Sequence, residues 1–173
     1  TTDDGATPLY MASQEGHVEV VRQLIEAGAG VNLARTDVGT TPLYVASQKG
    51  HVEVVRQLIE AGADVNQATT DDGSTPLFAA SHGGHAEVVR QLIEAGADVN
   101  LARASDGWTS LFVAAFCDRL EVAQLLLTNG ADRSATSVVE FMDIPAGTTP
   151  ESVAASQGHA EVAALLAVAP TRR

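Results

Sequence analysis

Residues 37–70 read DVGTTPLYVASQKGHVEVVRQLIEAGADVNQATT, and the chain repeats this phrase on both sides. Residues 3–36 are DDGATPLYMASQEGHVEVVRQLIEAGAGVNLART, and residues 71–104 are DDGSTPLFAASHGGHAEVVRQLIEAGADVNLARA. Between Gly5–Thr36 and Gly39–Thr70 only six of 32 aligned positions differ. A fourth copy begins SDGWTSLFVAAFCDRLEVAQLLLTNGADRSATS at Ser105, and a fifth, AGTTPESVAASQGHAEVAALLA, follows six extra residues. Thirteen of the 15 glycines keep the same register, in three families that recur every 34 residues and finally after 40, with Asp118 in the one vacant place. Gly30 and Gly83 stand outside it. Self-similarity at this period means stacked copies of one small unit.

Each copy carries its own punctuation. Thr7 before Pro8 is an N-cap with proline at the first helical position, where a missing N–H costs nothing. The short helix from Pro8 ends at Gly16, a residue able to take the left-handed conformation. A second helix over about Val18–Ala27 places Val18, Val21, Leu24 and Ile25 on one face. Gly28 closes it, and Ala29–Gly39 reads as an extended, turn-rich connector. Helices this short do not stand alone, so neighbours must bury one another. The chain therefore reads as one all-α domain over 1–173, with units at about 3–36, 37–70, 71–104, 105–138 and 145–169 and an insertion within about 134–147.

Composition narrows the function. The chain is 45% apolar with few aromatic residues, and 22 acidic against 10 basic residues give a formal charge of −12. Nucleic acid and anionic membrane are poor partners for such a chain, because phosphate contacts need clustered Lys and Arg. One cysteine cannot build a disulfide framework or a Cys-based zinc module. No apolar run of 18 residues and no basic-then-apolar start occur. The expectation is a soluble, acidic, monomeric, intracellular domain of the cytoplasm or nucleus.

The string DGxTPL–xA–xxGHxEVVxxLIxxGADVN resembles the ankyrin repeat, and the resemblance covers Asp3 to about Ala167. It implies a right-handed solenoid of stacked helix pairs with protruding β-hairpin-like loops, and a concave binding surface made by loop tips and first helices. Against the usual period of 33, the 34 here implies one extra residue at each hairpin tip. The family's histidine after Thr-Pro-Leu is replaced by Tyr10, Tyr44, Phe78, Phe112 and Ser152. Glu151 replaces a core leucine, which implies a partly solvated end. The first unit starts at its hairpin with no polar cap, so a fragment of a longer natural protein is expected; a designed or engineered ankyrin binder, the targeting segment of a larger enzyme and a structural spacer are the alternatives.

No catalytic constellation emerges, and no cofactor or metal is expected. His17, His51, His85 and His159 recur at equivalent positions, which stacked units hold roughly 8–10 Å apart, too far to share an ion. Turn and helix-start hydrogen bonds are the expected roles. His82 and His85 are separated by Gly83 and Gly84, which interrupt any common helix. Cys117 has no base at a motif-like spacing, and Asp118 beside it is expected to raise its pKa. The Asp-Gly pairs at Asp4, Asp72 and Asp106 are turn formers without the alternating ligands of a calcium loop. Glu–Arg–Glu triplets on the second helices read as a solvated outer face. The resemblance also implies hydroxylation at Asn32, Asn66 and Asn100, whose default role is hydrogen bonding in the connector turn.

Binding is sought where the copies disagree. One variable position precedes Thr-Pro-Leu: Ala6, Thr40, Ser74, Trp108 and Thr148. A second set lies late in the first helix: Gln14 and Glu15, Gln48 and Lys49, His82 and Gly83, Phe116 and Cys117. The resemblance places both sets on the concave surface beside tips that carry Asp4, Val38, Asp72 and Asp106. Trp108, Phe112 and Phe116 are spaced by four and converge in the fourth unit. Two readings of that cluster stay open: an anchor for a protein partner with a basic segment, steered by the acidic tips, or packing against the adjoining Val138–Met142 stretch. The expected function is a non-catalytic protein-interaction module.

Overall fold

The computed structural model describes residues 2–140 and 144–168. Within them the helices run α1 (Pro8–Gln14), α2 (Val18–Glu26), α3 (Pro42–Lys49), α4 (Val52–Glu60) and α5 (Pro76–Gly83). Then follow α6 (Ala86–Glu94), α7 (Ser110–Phe116), α8 (Leu120–Thr128), α9 (Pro150–Gln157) and α10 (Ala160–Ala167). No strand element forms among the described residues, so the architecture is all-helical. Thr7, Thr41, Thr75, Thr109 and Thr149 sit in extended conformation, and each accepts the N–H three residues on. Side chain and backbone thus start four first helices as the Thr-Pro signal predicts, and Thr109 does the same ahead of Ser110.

The solenoid is made by stacking. First helices pack on first helices of the next unit and second helices on second helices, with each hairpin pair closed internally. Leu9, Leu43, Leu77 and Leu111 are all buried at the equivalent core place, each contributing about 1.5–3 kcal/mol. Glu151 occupies that place in the fifth unit and is exposed.

Glycine register turns into backbone geometry. The 13 glycines in register all have positive φ, and Asp118 is the one non-glycine among the described residues that does, with φ 57°. At Gly50 (φ 75°) the reason is double, since a Cβ there would also lie 2.5 Å from Nδ1 of His85.

Neighbouring units are joined by three hydrogen-bonded rows. The loops fold back as hairpins, with Arg35 N–H donating to Thr40 O at 2.9 Å and Gly39 N–H to Arg35 O at 3.1 Å. Their tips then join: Thr36 N–H to Asp4 O (2.9 Å), Thr70 to Val38 (3.0 Å), Ser105 to Asp72 (3.2 Å) and Val138 to Asp106 (2.8 Å). Asn32 bridges forward with both ends of its amide, donating to Gly62 O at 3.2 Å and accepting from Asp64 N–H at 2.8 Å. Asn66 and Asn100 repeat this one and two units on.

The third row corrects the reading of the histidines. They cap no helix start with their side chains. Nε2 of His51 donates instead to Gln14 O, Nε2 of His85 to Gln48 O and Nε2 of His159 to Phe116 O, each at 3.0 Å. A carbonyl only accepts, so the Nε2 proton is fixed in each case. Arg119 stands in for the histidine of the fourth unit and donates from Nε to His82 O at 3.1 Å.

Candidate functional site

Stacking uses up the faces that are alike and leaves the variable ends of the first helices open in the first three units. Glu15, Gln48, Lys49 and His82 are exposed and Gln14 half-buried, at the C-terminal ends of α1, α3 and α5. Asp4, Val38, Thr40 and Asp72 on the hairpins are half-buried. Gln48 and His82 from the helices, with Asp72 and Ser74 from a tip, line one cavity of about 170 Å³. Tyr44, Phe78, Ala79 and Arg103 complete its wall, and Tyr44, Phe78 and Arg103 were not singled out from the sequence as contact residues. Their signal was present: two stand where the family has histidine, and Arg103 is one of two arginines just before a tip.

Four proposed contact residues are corrected by burial: Ser74, Asp106, Trp108 and Phe112. Trp108 is 3% exposed, with its ring centroid 4.6 Å from Phe112 and 5.3 Å from the half-buried Phe116. Arg103 lies over the Trp108 ring at 5.5 Å and the Phe78 ring at 4.8 Å, sealing the cluster from the tip side. Asp106 accepts from Arg103 Nε at 3.1 Å and from Trp108 N–H at 3.0 Å, so its carboxylate is consumed within its own hairpin. Ser74 N–H is held by Thr69 Oγ1 (3.0 Å) and Asp72 Oδ1 (2.9 Å). Of the stretch proposed to cover the aromatics, Val138 and Val139 are exposed, while Phe141 and Met142 lie outside the described residues. Ile144, from the insertion, is buried in the core that contains Trp108.

The acidic tips are partly neutralised from within. Arg35 pairs with Asp37 (Nε to Oδ1, 3.0 Å) in its own hairpin and with Asp4 of the preceding tip at 2.7 Å. Arg103 pairs with Asp106 and reaches Asp72 at 3.1 Å. The Arg35 hydrogen bond holds the Asp37 carboxyl below the usual range. The Thr2 hydroxyl, the Ala6 N–H and Arg35 do the same for Asp4. Burial pushes Asp72 up, but hydrogen bonds from Thr69 and Ser74 and the charge of Arg103 outweigh it, leaving the carboxyl low. Burial and the nearby Asp72 charge push the Tyr44 phenol up. Burial also pushes the Cys117 thiol up, so desolvation rather than Asp118 keeps it protonated.

Two wider grooves lie on the outer face, about 320 Å³ between α2 and α4 and about 410 Å³ between α4 and α6. Arg22 there is paired with Glu19 and Glu26, and Arg56 with Glu53 and Glu60. The same Glu–Arg–Glu side chains recur in the first three units, so this face offers little there to tell partners apart. Among the described residues no three His, Cys, Asp or Glu side chains gather as a metal site, and no helix is long and apolar enough to cross a membrane.

A comparison with curated proteins finds no match. A family model described as "Ankyrin repeats (3 copies)" matches residues 1–69 and 67–137. Those residues contain the four near-regular units, the bridging asparagines and the hairpin row; the match, the phrase repeated in the sequence and the stacked helix pairs agree. Ankyrin repeats are in general protein–protein interaction modules, and this chain belongs to the ankyrin-repeat family.

Proposed function

We propose that this chain is a non-catalytic protein-binding module that takes its partner on the concave row of first-helix ends and hairpin tips. One observation carries the reading. The helix-end pairs Gln14 and Glu15, Gln48 and Lys49, and His82 and Gly83 vary among three units that are otherwise nearly alike, and stacking leaves Glu15, Gln48, Lys49 and His82 exposed. A rigid scaffold held by three interunit hydrogen-bond rows loses little conformational entropy on binding, which favours affinity from a modest surface. The partner carries a basic segment, drawn by the carboxylates of the tips. The module works as a monomer in the cytoplasm or nucleus.

Site-specific photo-crosslinking tests this. A photoreactive residue at position 48 on the concave row is compared with one at position 94 on the outer face, in the cell of origin. Discrete protein adducts from position 48 and none from position 94 are expected. Adducts only from position 94, or from neither, overturn the reading.

A further inference from the structure

We propose that the cavity bounded by Tyr44, Gln48, Asp72 and His82 receives a single lysine or arginine side chain of the bound partner. The inference rests on the groove-binding reading above and specifies what the groove recognises.

Size comes first. At about 170 Å³ the cavity falls below the roughly 300–1,000 Å³ of pockets that enclose a whole small molecule. It suits one side chain of an extended segment lying along the groove. The rings of Tyr44 and Phe78 supply apolar wall for a long aliphatic stem, while Gln48, Asp72 and the Tyr44 hydroxyl supply oxygen atoms for its head. A stem on carbon and a head on oxygen is the pattern of a basic side chain.

Charge decides the sign. Asp3, Asp4, Glu15, Asp37, Asp71, Asp72 and Asp106 stand on the tips and helix ends against Arg35, Lys49 and Arg103, an excess of four negative charges. Arg103 is the permanent cation on the cavity wall, but its Nε is bonded to Asp106 and its Nη1 to Asp72 at 3.1 Å. Its guanidinium face is spent on the Phe78 and Trp108 rings. An anion entering the cavity meets a guanidinium already committed to two carboxylates. A cation meets acceptors and an uncompensated field.

The layout is also particular to this junction. The first-to-second junction has the same tyrosine-and-hydroxyl pair, with Thr40 Oγ1 donating to Tyr10 Oη at 3.4 Å. There, however, Val45 stands where the small Ala79 lines the cavity, and Thr69 stands where Arg103 forms its wall. Ala79 opens space that Val45 fills, and Arg103 props the tip beside it. The differences between nearly identical units therefore coincide with the cavity.

The test is an amide ¹⁵N–¹H NMR titration of the full chain with N-acetyl-arginine methylamide, N-acetyl-lysine methylamide and the neutral isostere N-acetyl-citrulline methylamide. Saturable shifts centred on the Gln48, Asp72, Ser74 and His82 amides are expected with the cationic probes, and binding about tenfold weaker with citrulline. Tyr44→Phe and Gln48→Ala each weaken the cationic probes severalfold while leaving the rest of the spectrum in place. Asp72→Asn weakens them further, and the first two variants keep the test valid if that one perturbs the hairpin. Equal shifts with citrulline, or unsaturated shifts spread along all the tips, overturn the proposal. Should crosslinks from position 48 persist while the cationic probes fail, the cavity assignment falls and groove binding stands. Crosslinks confined to the outer face remove groove binding itself.

Discussion

Nε2 of His85 donates its proton to the carbonyl oxygen of Gln48, 3.0 Å away and one unit back along the chain. The last carbonyls of a helix have no partner within it, so this bond satisfies one end of α3 from outside. A residue that looks like part of its own turn is in fact a bolt between units. The same joint in the fourth unit is made by Arg119.

His85→Arg should therefore fold with stability close to wild type, because an arginine already makes that joint one unit on. His85→Leu removes the donor and should cost about 1 kcal/mol. Urea denaturation of the two variants checks the difference, and equal midpoints would show the bond to be idle.

Trp108 is sealed between Phe112, Phe116 and Arg103. Trp108→Ala should lose about 3–5 kcal/mol, the range for truncating a large core aromatic. A binding loss in that variant is interpretable only beside its melting curve. Unchanged thermal stability would mean that the ring is not part of the core.

Gly30 departs from the pattern at a place where it gains nothing. Asp64 and Asp98 stand there in the next units and accept the N–H of Asn66 and Asn100 at 2.9 Å. Gly30 lacks a positive φ, and the atoms nearest a Cβ there belong to the exposed Leu33, its Cγ and one Cδ at 2.8 Å. Leu101 coexists with Asp98 in the same arrangement. Gly30→Asp should raise stability by about 0.5–1 kcal/mol, from the restored turn and the stiffer unfolded chain. A lower melting temperature would show that Leu33 cannot give way.

Ser47 is fully buried, and among the described residues its Oγ has no hydrogen-bond partner. Ala115 holds the equivalent place in the fourth unit. Ser47→Ala should be neutral or stabilising by up to about 1 kcal/mol, since it removes an unsatisfied polar atom without leaving a hole larger than that atom. Destabilisation measured by urea titration would reveal a bond that the hydroxyl does make.

Acid should loosen the hairpin tips. The folded carboxyls of Asp4, Asp37 and Asp72 lie below their ordinary value of 3.8. A depressed folded value lends stability that is complete above the unfolded value and is lost as pH falls through the folded one. Stability should stay level from about pH 6 to 5 and decline below about pH 4. Asp72→Asn should make that decline shallower, as followed by urea titrations at each pH; an unchanged slope would show that Asp72 does not contribute to it.

Much of the fold was legible because its signals are local. Thr before Pro starts a helix wherever it stands, and a glycine in register marks a left-handed residue. All 13 such glycines, and Asp118 in the vacant place, have that backbone. Contact residues were harder to read. Gln48 and His82 were visible as variation at helix ends, but Tyr44 and Arg103 become neighbours of the cavity only when α3, α5 and two hairpins meet. The histidines were misread for the same reason: their acceptors lie 37 or 43 residues back in the chain.

By itself the sequence determined that this is a repeat of short helix pairs, where each helix starts and which residues turn left-handed, because capping and backbone sterics act within a few residues. The tertiary structure decided which side chains are spent inside and which remain for a partner. Helices α2 and α4 have the same nine residues, VEVVRQLIE, yet Val20 is 47% exposed and Val54 0%. Helix α4 is packed between α2 and α6, whereas among the described residues α2 has a second-helix neighbour only in α4. Trp108 follows the same rule: its size marked it as an anchor, and its neighbours placed it in the core. Burial belongs to the assembled stack, and no window of sequence contains the neighbour that confers it.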